Sequence, residues 1–219
     1  MNTNVPIDAI TMEATARGSA FGARLDQEYI AEVVKGRFGV MGATGRGTLE
    51  HFGVEHEISF HMGTLGKAMG SSGAYLAGPR DMVEYLLNTA RPFLFTTASP
   101  PSAAAAAGAA LAVVQQEPER RARLWSNRQR LFHGLQRIGF RMTETVSPIL
   151  PILIGDAASA LAFAEHLLAH GVYAPAIRPP TVPDDTSRIR VTVASEHTAD
   201  HIDEALRAFE SAGQAAGLL

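Results

Sequence analysis

The sequence predicts an α/β protein, and three observations support this fold class. From residue 140 onward, three strand-like segments alternate with two helical segments, which is the pattern of a small sheet covered by helices. Residues 101–138 have the composition of two helices separated by Pro118. The chain has 219 residues, 46% of them hydrophobic and 19% charged. A globular chain of this length can bury a sizeable core.

The elements of the first half follow from local patterns. Residues 1–38 show no sustained hydrophobic period, so we expect an atypical N-terminal arm with at most a short helix over residues 26–34. The run 39–47 contains four glycines and predicts a loop with tight turns. Beyond it we predict a helical turn at 48–53, strands at 57–62 and 74–77, a helix at 80–90, a strand at 93–97, and helices from residue 101 and over 119–138.

The second half predicts a compact α/β unit. Strands are expected at 149–154, 172–177 and 188–194, and helices at 157–170 and 198–212. These elements would form a sheet of about three strands. Because the organisation changes after Gly139, we divide the chain into an arm (1–38), a first domain (39–139) and a small C-terminal α/β domain (140–219).

Composition excludes several classes of function. A net charge of −3 gives no reason to expect nucleic acid or an anionic membrane as partner. The absence of cysteine excludes disulfides, thiolate metal sites and cysteine nucleophiles. No apolar run approaches the roughly 20 residues of a membrane span. The N-terminus also lacks the order of a signal peptide, so a cytoplasmic protein is expected.

The most informative motif is the glycine-rich stretch 61–70, which contains Lys67 and Thr64. A lysine held in such a turn, away from bulk water, can act as an amine nucleophile. This pattern favours a Schiff base with an aldehyde cofactor, with Thr64 and backbone N–H groups free to hold a phosphate. The alternative is a solvated lysine on a glycine-rich loop. A Walker loop is excluded because Ala68 follows the lysine.

Other catalytic patterns are weaker. The pairs His166/His170 and His197/His201 have a spacing of four, which suits a helix face, but neither forms the H-E-x-x-H motif, and we predict no metal site. A serine hydrolase would need the G-x-S-x-G motif, and residues 70–73 are one residue short of it. Metal-dependent and serine hydrolase chemistry are therefore not favoured.

Three arginines are candidate carboxylate ligands. Arg188 and Arg190 share one face of the predicted strand, and a guanidinium that points into a cleft binds a carboxylate in bidentate fashion. Arg178 precedes a proline-rich loop. The alternative for each is a solvated surface position, and the residues alone leave both interpretations open.

Taken together, these segments resemble the α-oxoamine synthase family of pyridoxal-phosphate enzymes, which have fold type I, the aspartate aminotransferase fold. The resemblance runs collinearly from about residue 39 to residue 219. It is carried by residues 39–47, 63–70, 72–78, 93–101, 147–155, 176–183 and 188–197. It implies that residues 39–139 are the C-terminal half of a cofactor domain and that a small α/β domain follows.

The resemblance also implies a cofactor site for pyridoxal 5'-phosphate. Lys67 matches the lysine that forms the Schiff base with the cofactor and later moves the substrate proton. Thr64 would contact the cofactor phosphate. Thr96 and Thr97 match a segment that helps to complete the phosphate site of the neighbouring subunit, which implies a homodimer.

The implied substrates are an amino acid and an acyl thioester. Arg190 matches the arginine that holds the amino-acid carboxylate, and Arg178 is expected near the acyl substrate. The segment 176–183 is most similar to members that condense L-alanine with a pimeloyl thioester in biotin synthesis. Two alternatives stay open: a sister activity of the glycine C-acetyltransferase type, and a non-catalytic remnant that acts only through self-association.

The sequence departs from the family at one important position. Family members carry Asp-Glu-Ala-His just before the segment that begins at Gly39, and their aspartate pairs with the pyridinium nitrogen. Here Val33 occupies the aspartate position, and residues 1–38 do not resemble the preceding part of the cofactor domain. We therefore expect a chain truncated at its N-terminus, with impaired catalysis.

Overall fold

A computed structural model describes residues 38–142 and 145–219. All of the predicted arm except its last residue, including its short helix and the Val33 position, lies outside the described residues. The chain divides into two compact units, Met1–Pro118 and Glu119–Leu219. The helix that begins at Pro118 thus belongs almost entirely to the second unit, whereas we predicted it as part of the first domain. The division into domains 39–139 and 140–219 stays a prediction.

The described part of the first unit contains two short strands and four helices. In chain order they are α1 (Thr48–Phe52), β1 (His61–Thr64), β2 (Ala74–Ala77), α2 (Arg80–Thr89), α3 (Arg91–Leu94) and α4 (Pro101–Gln116). The strands β1 and β2 form an antiparallel pair in which His61 lies opposite Ala77 and Thr64 opposite Ala74. The predicted returning strand at 74–77 is confirmed.

One predicted strand of this unit is wrong, and another begins later than predicted. Residues 93–97 do not form a strand, because the chain turns into α3 and the N–H groups of Phe93 and Leu94 donate to the carbonyl of Ala90. Pro92 suits the first turn of a helix, where no N–H donor is needed. The strand expected at 57–62 begins only at His61, since Glu57 N–H closes a turn onto the carbonyl of Val54.

The second unit is a helix-covered antiparallel sheet. Its elements are α5 (Pro118–Ile138), β3 (Ile149–Gly155), α6 (Ala157–Ala169), β4 (Ala176–Ile177), β5 (Ser187–Thr192) and α7 (Ala199–Ala215). The strand order is β3-β5-β4, which confirms the predicted three-stranded sheet. Strand β4 starts later than predicted because the N–H of Val172 still donates to Leu167 at the end of α6.

Apolar packing joins the layers of this unit. Helix α6 packs on all three strands and on α7. Phe140, Phe163 and Phe209 form a buried cluster with ring centroids 6.1–6.2 Å apart. On strand β5, Ile189 and Val191 point into this core, so the alternating residues Arg188 and Arg190 lie on the opposite face of the sheet.

Local hydrogen bonds explain where the two covering helices begin. Asp156 caps α6 by accepting from the Ser159 N–H at 2.8 Å. Hydrogen bonds from the Ser159 side chain and backbone lower the pKa of the Asp156 carboxyl. Thr198 caps α7 in a capping box with His201. Within the described ranges, no helix is both long and apolar enough to cross a bilayer.

Candidate functional site

Lys67 lies in the turn that connects β1 to β2. The Leu65 N–H donates to the carbonyl of Gly73, and the Ser71 N–H donates to the carbonyl of Leu65, both at 2.9 Å. Gly70 has a φ of +58°, which its lack of a Cβ permits. Because these bonds close the turn at its base, the backbone that carries Lys67 has a defined position.

The side chain of Lys67 is exposed, which corrects the expectation that it lies away from bulk water. The buried anchors are Leu65 and Met69, at 8% and 5% exposure. The turn therefore fixes its apolar residues inside and projects the lysine between them outward. Among the residues that the structure describes, no carboxylate forms an ion pair with Lys67. Its amine is accessible to a ligand.

Thr64 lies at the same end of the hairpin as Lys67. It is the last residue of β1 and is exposed. Its neighbour Gly63 is buried opposite Tyr75, and the Tyr75 ring occupies the place that a Cβ on Gly63 would take. Burial raises the pKa of the Tyr75 phenol. Tyr75, which no sequence pattern indicated, thus packs against the strand that carries Thr64.

The glycine-rich loop 39–47 lies against the lysine turn. A Cβ at Gly39 would approach Met69 Cε to 3.1 Å and Ala68 Cβ to 3.4 Å. The Gly39 N–H donates to the carbonyl of Gly45 at 2.7 Å, which closes the loop. Gly39 and Gly45 both have positive φ, as does Gly42. The prediction of a loop with tight glycine turns is confirmed.

Thr96 and Thr97 are exposed and lie in the segment between α3 and α4. The end of that segment reaches the lysine turn, since Ser99 Oγ would lie 3.9 Å from a Cβ on Gly73. The Ser71 hydroxyl also donates to the carbonyl of Ala103 at 2.7 Å. The structure therefore brings this segment to the turn through Ser99, and the roles of both threonines stay predictions.

Arg190 and Arg178 belong to the second unit, and both are exposed. Arg190 is on β5, where its N–H donates to the carbonyl of Pro175 at 3.0 Å, and Arg178 directly follows β4. Over the described ranges, neither guanidinium is paired with a carboxylate. Both are therefore free to bind an anionic group, and their roles toward substrates stay predictions.

The histidine pairs have local partners. His166 and His170 stack with ring centroids 4.4 Å apart, and His166 Nε2 lies 3.1 Å from the Ser211 hydroxyl. His197 and His201 contact backbone N–H groups near the start of α7. Searching the described residues finds no cluster of three or more histidine and carboxylate side chains suited to a metal ion.

Comparison with known proteins identifies the kind of fold. The family described as aminotransferase class I and II matches residues 31–209. A protein of Anaeromyxobacter dehalogenans named 8-amino-7-oxononanoate synthase is 51% identical over 170 residues, which are 78% of this chain and 43% of that protein. The chain spans less than half the length of the curated relatives it matches.

Solved structures agree on the fold. A serine palmitoyltransferase variant from S. paucimobilis, solved with a bound PLP–myriocin aldimine, has a TM-score of 0.79 and 34% identity, covering 84% of this chain and 46% of its own. An 8-amino-7-oxononanoate synthase from Francisella tularensis has a TM-score of 0.71 and 28% identity, covering 82% of this chain and 53% of its own. The predicted partial fold-type-I architecture is confirmed by these matches.

Proposed function

The chain belongs to the aminotransferase class I and II family, and from this premise we propose that it binds pyridoxal 5'-phosphate through Lys67. The proposed reaction is that of its relatives named 8-amino-7-oxononanoate synthase. In it, L-alanine loses carbon dioxide while its α carbon bonds to the acyl carbon of a pimeloyl thioester, and the thiol carrier leaves. The observation that carries the proposal is the accessible amine of Lys67 on a hydrogen-bonded turn.

The residues of the turn fit the aldehyde and phosphate ends of the cofactor. Lys67 offers an unpaired amine, and Thr64 offers an exposed hydroxyl three residues earlier. Gly66 between them leaves space, since a Cβ there would meet only the Ser71 carbonyl at 3.5 Å. In the family, an aspartate pairs with the pyridine nitrogen of the cofactor, and the resemblance places Val33 at that position. Val33 lies outside the described residues, and its apolar side chain cannot pair with a pyridinium.

Each residue then has a defined task. When bound, the cofactor supplies an electron sink for the α carbon of the amino acid. Lys67 Nζ would first hold the cofactor carbonyl carbon and later, as a free amine, move the α proton of the substrate. Thr64 Oγ1 donates to the phosphate. Arg190 binds the amino-acid carboxylate and so fixes which bond at the α carbon can break, and Arg178 lies near the acyl substrate.

We further propose a homodimer in the cytoplasm. Helix α4 buries none of its residues although it is rich in alanine, and Phe95 is 77% exposed in the same unit. Apolar surface of this kind supports association with another chain. The same observation favours a second candidate function, a non-catalytic chain that acts through self-association. Light scattering across protein concentrations tests the association itself.

The experiment uses the fact that the chain has only two lysines, Lys35 and Lys67. Purified protein is mixed with pyridoxal phosphate, and the visible absorbance is recorded before and after borohydride. We expect a reducible band that Lys67→Ala abolishes and that the matched control Lys35→Ala retains. A band that is absent, or equal in the two variants, contradicts cofactor binding through Lys67 and favours the non-catalytic function.

Turnover is then assayed with L-alanine and a pimeloyl thioester, with glycine and acetyl-CoA as competing substrates. We expect Arg190→Lys to raise the KM for alanine, because lysine cannot bind a carboxylate in bidentate fashion. Preference for glycine and acetyl-CoA would favour the glycine C-acetyltransferase type. Because Val33 stands at the position of the family's aspartate, we expect turnover to be slow. Cofactor binding with no detectable turnover would contradict the synthase activity, while it would leave the role of Lys67 intact.

A further inference from the structure

Glu50 accepts three hydrogen bonds from the glycine-rich loop, and the proposed function gives it no role. Its Oε1 accepts from the Thr44 N–H and the Thr44 hydroxyl, each at 2.8 Å. Its Oε2 accepts from the Arg46 N–H at 2.9 Å. Hydrogen bonds of this kind to an ionised acceptor are among the stronger ones in proteins. One side chain on α1 thus binds two backbone N–H groups of the glycine-rich loop.

The geometry of the loop is built around this carboxylate. A Cβ on Gly42 would collide with the carboxyl group of Glu50, and Gly42 has a φ of +83°. The Arg46 Nε donates to the Thr44 hydroxyl at 3.0 Å, which in turn faces Glu50. A glycine at position 42 therefore meets two requirements, since it adopts the turn and leaves room for the carboxylate.

The loop transmits this position to the lysine turn. Gly39 is held in the loop by the hydrogen bond from its N–H to the carbonyl of Gly45. It packs on Ala68 and Met69, which are the next two residues after Lys67 in the chain. Val114 of α4 also packs on Gly39, since a Cβ added at Gly39 would lie 3.2 Å from Val114 Cγ2. A loop released from Glu50 would weaken the contact of Gly39 with the lysine turn, and the backbone next to Lys67 would lose part of its support.

We infer that Glu50 is a positioning residue for Lys67, acting through the loop 39–47 and the contact of Gly39 with Ala68 and Met69. Glu50 touches neither Lys67 nor a ligand. It stabilises the loop conformation on which the lysine turn rests. This inference relies on the proposed function only for the identity of the aldehyde that Lys67 binds.

The ion pair of Arg46 with Glu55 provides the matched control. The two side chains are 3.4 Å apart and the Arg46 side chain is 55% exposed, so this pair contributes little. Glu55→Ala removes a carboxylate from the same neighbourhood without touching the three hydrogen bonds to Glu50. Glu50→Gln keeps an oxygen that accepts from Thr44, but its amide nitrogen cannot accept from the Arg46 N–H.

The test begins with hydrogen–deuterium exchange of the chain without any ligand. In Glu50→Ala we expect faster exchange in residues 39–47 and 65–71, and unchanged exchange in α2, which reports that the unit is still folded. Gly42→Ala, which expels the carboxylate sterically, should give the same pattern. Glu55→Ala should match the unmodified chain. Unchanged exchange of residues 65–71 in both Glu50→Ala and Gly42→Ala would overturn the inference.

The second readout is borohydride-fixed labelling by pyridoxal phosphate, expressed as the ratio of label on Lys67 to label on Lys35. We expect this ratio to fall about tenfold or more in Glu50→Ala and by a smaller factor in Glu50→Gln. An unmodified chain without preference for Lys67 would contradict the proposed function, while the exchange result would still decide the role of Glu50. A preference that persists in Glu50→Ala would overturn the positioning role.

Discussion

The two units bury very different numbers of apolar side chains. Among the described residues, five buried apolar side chains lie in the first unit and eighteen in the second. The second unit has a cluster of three phenylalanines and fully buried residues on each layer. The first unit carries the lysine turn, yet α4, the longest of its described helices, buries none of its residues.

The two units should therefore be sensitive to different kinds of substitution. Apolar packing holds the second unit, so its response to substitution should follow buried volume. In the first unit, hydrogen bonds to Glu50 and close contacts at Gly39 and Gly63 hold the loops. We therefore expect the second unit to be destabilised when a buried side chain is truncated. We expect the first unit to be destabilised when a side chain is added at a tightly packed glycine or when the Glu50 carboxylate is removed.

The largest effect is expected from Phe163→Ala in the second unit. Phe163 is 2% exposed, and truncating a buried phenylalanine costs about 3–5 kcal/mol. Urea unfolding followed by the fluorescence of Trp125, the single tryptophan, measures this cost. The control is Tyr173→Ala, because Tyr173 is 81% exposed. A cost for Phe163→Ala as small as that of the control would break the comparison.

Gly63→Ala tests sensitivity to added volume in the first unit. The new methyl group would collide with the Tyr75 ring, and such overpacking costs roughly 1–3 kcal/mol. Exchange of residues 61–77 should rise, and adding Tyr75→Ala should partly restore it. Gly66→Ala is the matched control, because its Cβ meets only the Ser71 carbonyl at 3.5 Å. Equal effects of the two glycine substitutions would contradict the steric explanation.

Acid should weaken the first unit through Glu50. Burial alone would raise the pKa of Glu50, but hydrogen bonds from Thr44 and Arg46 and the charge of Arg46 lower it on balance. Because the pKa of Glu50 is lower in the folded state, ionised Glu50 stabilises the folded protein at any pH above its ordinary pKa of 4.5. This stabilisation is lost as the pH falls through the folded-state pKa.

The measurement compares the unmodified chain with Glu50→Gln in urea unfolding by circular dichroism. We expect the stability difference to be full near neutral pH and to shrink in acid. Glu55, which pairs with Arg46, is the other carboxylate in this neighbourhood, so Glu55→Gln should be tested in parallel. A difference that does not change with pH would contradict the role assigned to the carboxylate.

The smallest effect is expected from a surface ion pair of the second unit. Arg130 Nη2 donates to both carboxylate oxygens of Asp203 at 2.8 and 2.7 Å, and both side chains are more than 40% exposed. A double-mutant cycle with Arg130→Ala and Asp203→Ala should give about 0.2–1 kcal/mol, decreasing with salt. A coupling as large as the Phe163→Ala cost would mean that charge, not packing, holds this unit.

Sequence patterns predicted the second unit well because its periodicity is strong. Ile189 and Val191 alternate with arginines on β5, and Ile202 and Phe209 share the buried face of α7. Such patterns arise directly from one-sided burial. The strand expected at 93–97 failed because aromatic composition favoured β structure, while Pro92 allowed a helical turn.

The site was predicted in part. The glycines around Lys67 indicated a turn, but not that Lys67 would be exposed, since exposure depends on which neighbours the fold buries. Sequence patterns did not indicate Glu50, because its hydrogen bonds go to backbone N–H groups four and six residues earlier in the chain, which no side-chain motif reports. Its one sequence indication is a carboxylate three residues beyond the end of the glycine-rich loop.

Although the first unit buries few apolar side chains, we propose that it holds Lys67 ready to bind an aldehyde cofactor. The most direct test is borohydride-fixed labelling by pyridoxal phosphate, with the two lysine-containing peptides quantified by mass spectrometry in buffer and in urea. We predict a strong preference for Lys67 over Lys35 in buffer that disappears in urea. Equal labelling of the two lysines in both conditions would contradict the claim.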